Sequence, residues 1–184
     1  MTPAAGKGTT AMLELLLLRH AKSRWDQPGA DDHERELNER GEAAAPRMGR
    51  LLRDLDLVPD LVLCSTAARA RRTWELAAAE LGGAEVPVQH LRTLYLAEPE
   101  RMLDLVRRQD PAAARRLLLL GHNPGTHALA QRLTGAGEPS DRARLAEKFP
   151  TAALARIGFL DDDWRAAGFA RGELLGYWRP RELG

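Results

Sequence analysis

Apolar residues along the chain fall into two alternating patterns. LELLLL (13–18), LVLC (61–64), VPVQH (86–90) and RLLLL (116–120) are unbroken apolar or β-rich runs of strand length, the pattern of strands buried on both faces. Between them the apolar positions recur at helical spacing. In 39–55, Ala44, Met48, Leu51, Leu52 and Leu55 form one stripe among largely charged neighbours, which predicts a surface helix. Ala70, Trp74, Ala77, Ala78 and Leu81 repeat the spacing in 67–81, and Gly82-Gly83 supplies a stop signal. Shorter helices are predicted at 99–108, opened by Pro99 and closed near Asp110-Pro111, and at 124–134, with Pro124 in a first-turn position and Gly135 after the end.

Strand and helix thus alternate without any repeat of fixed period, which predicts an α/β fold: a three-layer sandwich whose mostly parallel central sheet is flanked by helices. Two regions fit the alternation poorly. Residues 22–38 are polar, turn-rich and too long for an ordinary connection, so they are expected to form a functional loop; 135–150 is expected to be a second one. In the tail, 151–159 and 172–180 are strand candidates for an antiparallel hairpin at the sheet edge. A chain of 184 residues is expected to make a single domain over 1–184, with 1–12 flexible.

Composition narrows the partners. With 27 Lys plus Arg against 26 Asp plus Glu, the net charge of +1 supplies no overall field to hold a nucleic acid or an anionic membrane. LELLLL contains a glutamate and is far shorter than the ~20 apolar residues a membrane span needs. Lone Cys64 has no internal disulfide partner, so the expected location is a reducing, cytoplasmic one. Of the 27 basic residues 24 are arginine, so only position can single out a functional one.

In open α/β sheets ligands bind beyond the carboxyl ends of the strands. There the chain places Arg19-His20-Ala21-Lys22 after the first strand, Ser65-Thr66-Ala67-Ala68-Arg69 after the second and Gly121-His122-Asn123-Pro124-Gly125 after the fourth. Two histidines and two arginines from three strand ends suit phosphoryl chemistry. Each guanidinium fork binds two phosphate oxygens, so Arg19 and Arg69 together would neutralise a dianion and the charge of a transferring phosphoryl group. Their charge disfavours imidazolium, which would keep His20 neutral with a nucleophilic lone pair. His122 is then a second phosphate ligand, and the helix start after Ser65 also favours an anion.

Other candidates have plainer readings. His33, in the run DDHERE, is expected to be a solvated loop residue; His90 and His127 are expected to be structural. Lys22 is expected to be an exposed lysine with no specific role, assistance to anion binding being the alternative; Trp74 is expected in the core and Trp25 at a rim. Cys64 is followed by four residues before Arg69, one fewer than a cysteine-phosphatase loop has, and belongs to the core. No close pair of histidines or cysteines suggests a zinc site, and Ser65 lacks the Gly-x-Ser-x-Gly elbow of a serine hydrolase.

Arg19-His20-Ala21 after an apolar strand, Ser65-Thr66-Ala67-Ala68-Arg69-Ala70 ahead of Thr73, and Leu120-Gly121-His122-Asn123-Pro124 resemble the three ordered motifs of the histidine phosphatase superfamily. RHAKSRWD, LNERG (37–41) and GHNPG narrow the resemblance to its SixA-like phosphohistidine phosphatase branch, over roughly 13–134 and more loosely through 149–157. The resemblance implies a phosphoglycerate mutase-like fold and a metal-independent, cofactor-free phosphatase. His20 would take the phosphoryl group, water would release it, and Arg19, Arg69 and His122 would form the phosphate pocket. Larger relatives have an acidic leaving-group donor in a region corresponding to 94–100, which nominates Glu98, with Glu100 as alternative. Where many members have an asparagine six residues after the nucleophile, this chain has Asp26, a further candidate acid. The expected partner is a phosphorylated protein or a small phosphate ester, with no nucleic acid and no membrane, and the chain is expected to be a monomer or weak homodimer. The alternatives are a phosphatase of a small ester, selected by 22–38 and 135–150, and a phospho-ligand binding module without turnover.

Overall fold

The computed structural model describes residues 12–26, 28–29 and 31–183, so the expectation for 1–12 lies, apart from Met12, outside the described residues. The elements are β1 (Leu13–Arg19), α1 (Glu39–Asp54), β2 (Leu61–Ser65), α2 (Ala68–Ala78), β3 (Val88–Leu91), α3 (Pro99–Arg107), β4 (Arg116–Gly121), α4 (Gly125–Leu133), β5 (Thr134–Gly137), α5 (Pro139–Glu147), β6 (Leu154–Phe159) and β7 (Gly172–Trp178). All the strands form one sheet of order β3-β2-β4-β1-β6-β7-β5. β3, β2, β4 and β1 are parallel. β6 runs against both neighbours and β5 lies parallel to β7, so β6 alone is reversed.

Side chains alternate across the sheet and divide the core in two. Leu13, Leu15 and Leu17 of β1, with Leu117 and Leu119 of β4, pack beneath α3, α4 and α5 through Met102, Leu129 and Leu145. Leu16, Leu18, Leu118 and Leu120 face the other way, onto Met48 and Leu52 of α1 and Trp74 of α2. This is the expected three-layer sandwich, with Trp74 and Cys64 in its core.

The predicted helices form for the predicted reasons. Asn38 caps α1, its side chain accepting from Gly41 N at 3.0 Å, and Glu39 and Glu42 in the first turn complement the helix dipole. Gly82 follows α2 at φ +71°, a conformation glycine adopts without strain.

Three expectations are corrected. Residues 135–150 are not a loop but β5 and α5. The glycines of TGAG suggested a turn, yet a Cβ at Gly135 would lie 2.1 Å from the Ala170 carbonyl oxygen, so close backbone approach requires glycine in this strand. The tail strands pair antiparallel as expected, but β6 lies beside β1 in the middle of the sheet and β5 takes the edge. Apolar on both faces (Leu154, Ala155, Ile157, Phe159), β6 suits that buried position. β3 is the opposite edge and has no fully buried residue.

The register of β1 depends on its one polar residue. A one-residue slip would exchange leucine for leucine on both faces and cost little hydrophobic burial. Glu14 opposes such a slip: it lies opposite Arg116 and holds Arg116 Nη2 at 3.1 Å on one oxygen and Arg156 Nε at 2.6 Å on the other. Burial pushes the Glu14 carboxyl up, but the two arginines outweigh it and hold it below its ordinary value. Glu14→Gln keeps the shape, removes the charge and leaves two half-buried guanidinia short of a counter-ion. We expect a loss of ~1–2 kcal/mol, a fall in Tm of roughly 2–8 °C read by calorimetry; an unchanged Tm would place the register lock elsewhere.

Candidate active site

Pairing of β1 with β4 sets Arg19 opposite Gly121, and His20 N donates to the Gly121 carbonyl at 3.2 Å. The residues one step beyond each strand end, His20 and His122, therefore meet with ring centroids 5.1 Å apart. The same turn is tied to α2: Ala21 N donates to Thr73 Oγ1 at 2.9 Å, and the Thr73 hydroxyl donates to the Arg69 carbonyl at 2.6 Å. α1 closes the other side, where a Cβ at Gly41 would lie 2.1 Å from the Lys22 carbonyl oxygen. That contact explains the glycine of LNERG.

The His20 tautomer follows from its partner. Its Nδ1 lies 2.7 Å from the Ala21 carbonyl oxygen, which only accepts, so Nδ1 carries the proton and Nε2 of the neutral ring keeps the lone pair. Burial first, then the proximity of His122, which opposes protonating both rings together, and the charge of Arg69 and Arg19, lowers its pKa well below the ordinary histidine value. His122 Nε2 lies 2.7 Å from Ser65 Oγ, which also accepts from Ala67 N at 3.3 Å. Burial, followed by the charge of Arg69, pushes the His122 pKa down to about 3. A Ser65 hydroxyl donating to Nε2 leaves an N–H on Nδ1, a buried atom with no partner among the described residues.

Arg69, in the first turn of α2, is 1% exposed. Its Nη1 donates to the Asp32 carbonyl at 2.5 Å and its Nη2 to the Asp32 carboxylate at 3.0 Å. Arg19 Nη1 donates to the Phe149 carbonyl at 2.9 Å, an oxygen that also accepts from Asn123 Nδ2 at 2.8 Å. Nε of Arg19 and of Arg69 are both buried without a partner among the described residues. Ala67 caps α2 without a side-chain bond to its first-turn N–H groups. Two guanidinia, two neutral imidazoles and an uncapped helix start suit an oxyanion flanked by a nucleophilic nitrogen.

Three residues enter the site without having been singled out for it. Asp32 accepts from Arg69 and from the Tyr95 hydroxyl at 2.5 Å. Burial raises its carboxyl, but Tyr95, Arg69 and Arg35 outweigh this and keep it below its ordinary value. Tyr95 stands edge-on to His122 at 5.5 Å and to His33 at 4.9 Å between centroids. His33 is not solvated as expected: it is 9% exposed, with Nδ1 2.5 Å from Glu34 Oε1 and Nε2 2.9 Å from Thr66 Oγ1. Asp31 capping the short turn Asp32–Glu34 was the available signal for His33, and the strand-end rule applied to β3 would have reached Tyr95.

The carboxylates nominated as acids are exposed and make no hydrogen bond to either histidine among the described residues. Glu98 is the exposed N-cap of α3, Glu100 is exposed and paired with Arg132, and Asp26 is exposed and paired with Arg24 at 3.2 Å. His127 Nε2 donates to the Leu145 carbonyl at 2.7 Å, a structural tie as expected, and His90 is exposed on β3. Burial pushes the Cys64 thiol up to about 12, which removes it as a nucleophile at neutral pH. Among the described residues no group of three or more His, Cys, Asp or Glu is arranged to hold a metal ion. No helix among them is long and apolar enough to cross a membrane.

Residues 15–95 match the model of the histidine phosphatase superfamily (branch 1). The chain is 33% identical over 168 residues to an uncharacterised protein of Mycobacterium leprae, covering 89% of this chain and 100% of the relative. The structure designated phosphohistidine phosphatase SixA from Agrobacterium tumefaciens superposes with a TM-score of 0.77 at 33% identity, covering 91% of this chain and 98% of that one. Its counterpart from Nakamurella multipartitia gives a TM-score of 0.77 at 28% identity, over 92% of this chain and 97% of that one.

His122 is neutral in the fold down to about 3, whereas the unfolded chain protonates it near ~6.5. Below that upper value the unfolded state binds more protons, so acidification lowers stability by up to ~1.4 kcal/mol per pH unit for this residue, with His20 acting in the same direction. Tm is expected to fall as pH is lowered from about 7 to about 5, and His122→Asn to flatten the slope; an identical slope would overturn the assignment of His122 as buried and neutral. Asp32→Ala frees Nη2 of Arg69, leaves Nη1 on the backbone carbonyl of residue 32, and removes a competing anion. Inorganic phosphate is then expected to bind about threefold to tenfold more tightly by calorimetry, and weaker binding would show that Asp32 positions the arginine rather than competing for it.

Proposed function

The chain is a phosphatase that belongs to the histidine phosphatase superfamily, and from that premise we propose that His20 is its nucleophile and that it hydrolyses phosphohistidine carried on a protein. The observation that carries the reading is the His20 Nδ1–Ala21 carbonyl bond of 2.7 Å, which leaves the Nε2 lone pair free in a ring kept neutral by burial and by neighbouring cations. Nε2 attacks phosphorus as the substrate's P–N bond breaks; the substrate ring, carrying a proton from solvent on its other nitrogen, departs as neutral imidazole. Water then attacks the phosphoryl group on His20; the new P–N bond breaks, orthophosphate leaves and the neutral ring returns. Nε of Arg19 and Arg69 and the His122 Nδ1–H would hold the non-bridging oxygens, on which charge accumulates in both steps.

Two observations favour the P–N substrate over an ester. Imidazole has a pKa near ~6.5 and leaves without a strong acid, whereas an alcohol does not; here the nominated acids lie on exposed positions, and Asp32, beside Arg69, is held ionised. The second is the likeness to the two SixA structures.

Incubation of the wild type and His20→Ala with a generic aryl phosphate and with a phosphohistidine protein tests the reading. An acid-labile phosphoenzyme is expected in the wild type only, with kcat lowered by roughly a thousandfold or more in the variant. Equal turnover by the two forms would remove His20 as nucleophile. Hydrolysis of the ester alone would keep the mechanism and reject the substrate; phosphate binding without turnover of either substrate would make the chain a binding module.

A further inference from the structure

Beside the pocket lies a trough of about 630 Å³ lined by seven basic side chains and a single carboxylate, Glu182. Its charge is far from the +1 of the whole chain. Glu182 is itself bonded to Arg144, and Arg179 is bonded to Glu147 at 2.9 Å. Lys22, Arg40, Arg47, Lys148 and Arg181 are exposed, and none of the five forms an ion pair among the described residues. They come from three separate places: the turn after β1 and the adjoining face of α1, the segment after α5, and the C-terminal turn Pro180–Glu182. Arg19, the residue before His20, is part of this lining, so the trough adjoins the candidate site.

Like charges gathered on one open surface repel one another and lower stability unless a partner uses them. The floor between them is Ala43, Ala44, Pro150, Thr151 and Pro180, small and largely without hydrogen-bonding side chains. Such a floor selects no compact ligand by shape or by directed donors. The cations stand on separate elements around one trough, which suits negative charge strung along a chain. We infer that this trough docks an acidic segment of the protein that carries the phosphorylated residue, with Asp and Glu side chains flanking the phosphoryl group. The inference rests on the proposed reading of His20 as the nucleophile toward a protein substrate, and it names the partner's chemistry. Docking by exposed charges acts mainly on encounter, so it appears in kcat/KM and weakens with salt.

The test uses two phosphohistidine peptides of equal length, one flanked by Asp and Glu and one by Asn and Gln, with an aryl phosphate that reaches only the pocket as control. The variant is Arg40→Glu/Arg47→Glu on the exposed face of α1. It is expected to fold, because Arg40 lies in the first helical turn, where an acidic side chain favours the dipole. The wild type is expected to prefer the acidic peptide by roughly tenfold or more in kcat/KM at low salt, the variant to lose that preference, and aryl phosphate turnover to stay the same in both. Equal kcat/KM for the two peptides in the wild type, or a preference that survives the double reversal, overturns the docking site. If neither peptide is hydrolysed while the aryl phosphate is, the phosphohistidine reading fails by itself. The trough is then judged by fluorescence anisotropy of the unphosphorylated acidic peptide, which should bind the wild type and not the variant. Binding to phosphatidylserine vesicles without binding to that peptide overturns the inference in favour of a lipid surface.

Discussion

The site depends on one strand register. β1 and β4 are leucine on both faces, so the hydrophobic effect holds them together without choosing how far along they pair. The choice falls to Glu14, clamped between Arg116 and Arg156, and to the His20 amide on the Gly121 carbonyl at the far end. With those two ends fixed, the residues following the strands are placed as well. His20 and His122 become neighbours, and the turn bearing His20 is bound through Thr73 to the helix bearing Arg69. Short parallel strands make this possible, because all their carboxyl ends reach one edge of the sheet.

What gathers at that edge is unfavourable for the free protein. Two guanidinia lie largely out of water, and both imidazoles are pushed toward their neutral forms. Asp32 meets part of the cost by occupying the terminal nitrogens of Arg69. It sits in the short turn Asp32–Glu34, held by Tyr95 and Arg35. A phosphoryl dianion carries more charge than one carboxylate and presents oxygens in three directions. It would satisfy the inward Nε atoms, which Asp32 does not reach, and that difference favours exchanging the internal anion for the substrate.

The sequence made the sandwich legible because apolar runs and amphipathic stripes are local signals, and the strand-end rule turned them into His20, Arg19, Arg69 and His122 at one edge. What stayed hidden came from longer-range causes. β5 was obscured by glycines that the approach of Ala170 demands, and the place of β6 depended on the open edge of β1. His33 looked solvated because DDHERE is charged throughout. Its burial comes from hydrogen bonds to Glu34 and Thr66, which leave no apolar periodicity to read. Tyr95 escaped because the residues after β3, Arg92-Thr93-Leu94-Tyr95, carry no histidine to mark them as a site.

The small net charge also acquires a different meaning. A balanced total argued against a polyanionic partner, yet it is an average over separate populations of arginine. Arg116, Arg156 and Arg144 are consumed by Glu14, Asp141 and Glu182 in holding the fold. Arg19 and Arg69, desolvated and aimed inward, interact strongly with an anion that reaches them and are screened from one that does not. Arg40, Arg47 and Arg181 stand in water, where each contact is weak but the summed field extends to roughly a Debye length. Burial therefore divides the labour: the inner pair suits charge that develops on a phosphoryl group, and the outer set suits attraction between surfaces before any contact is made.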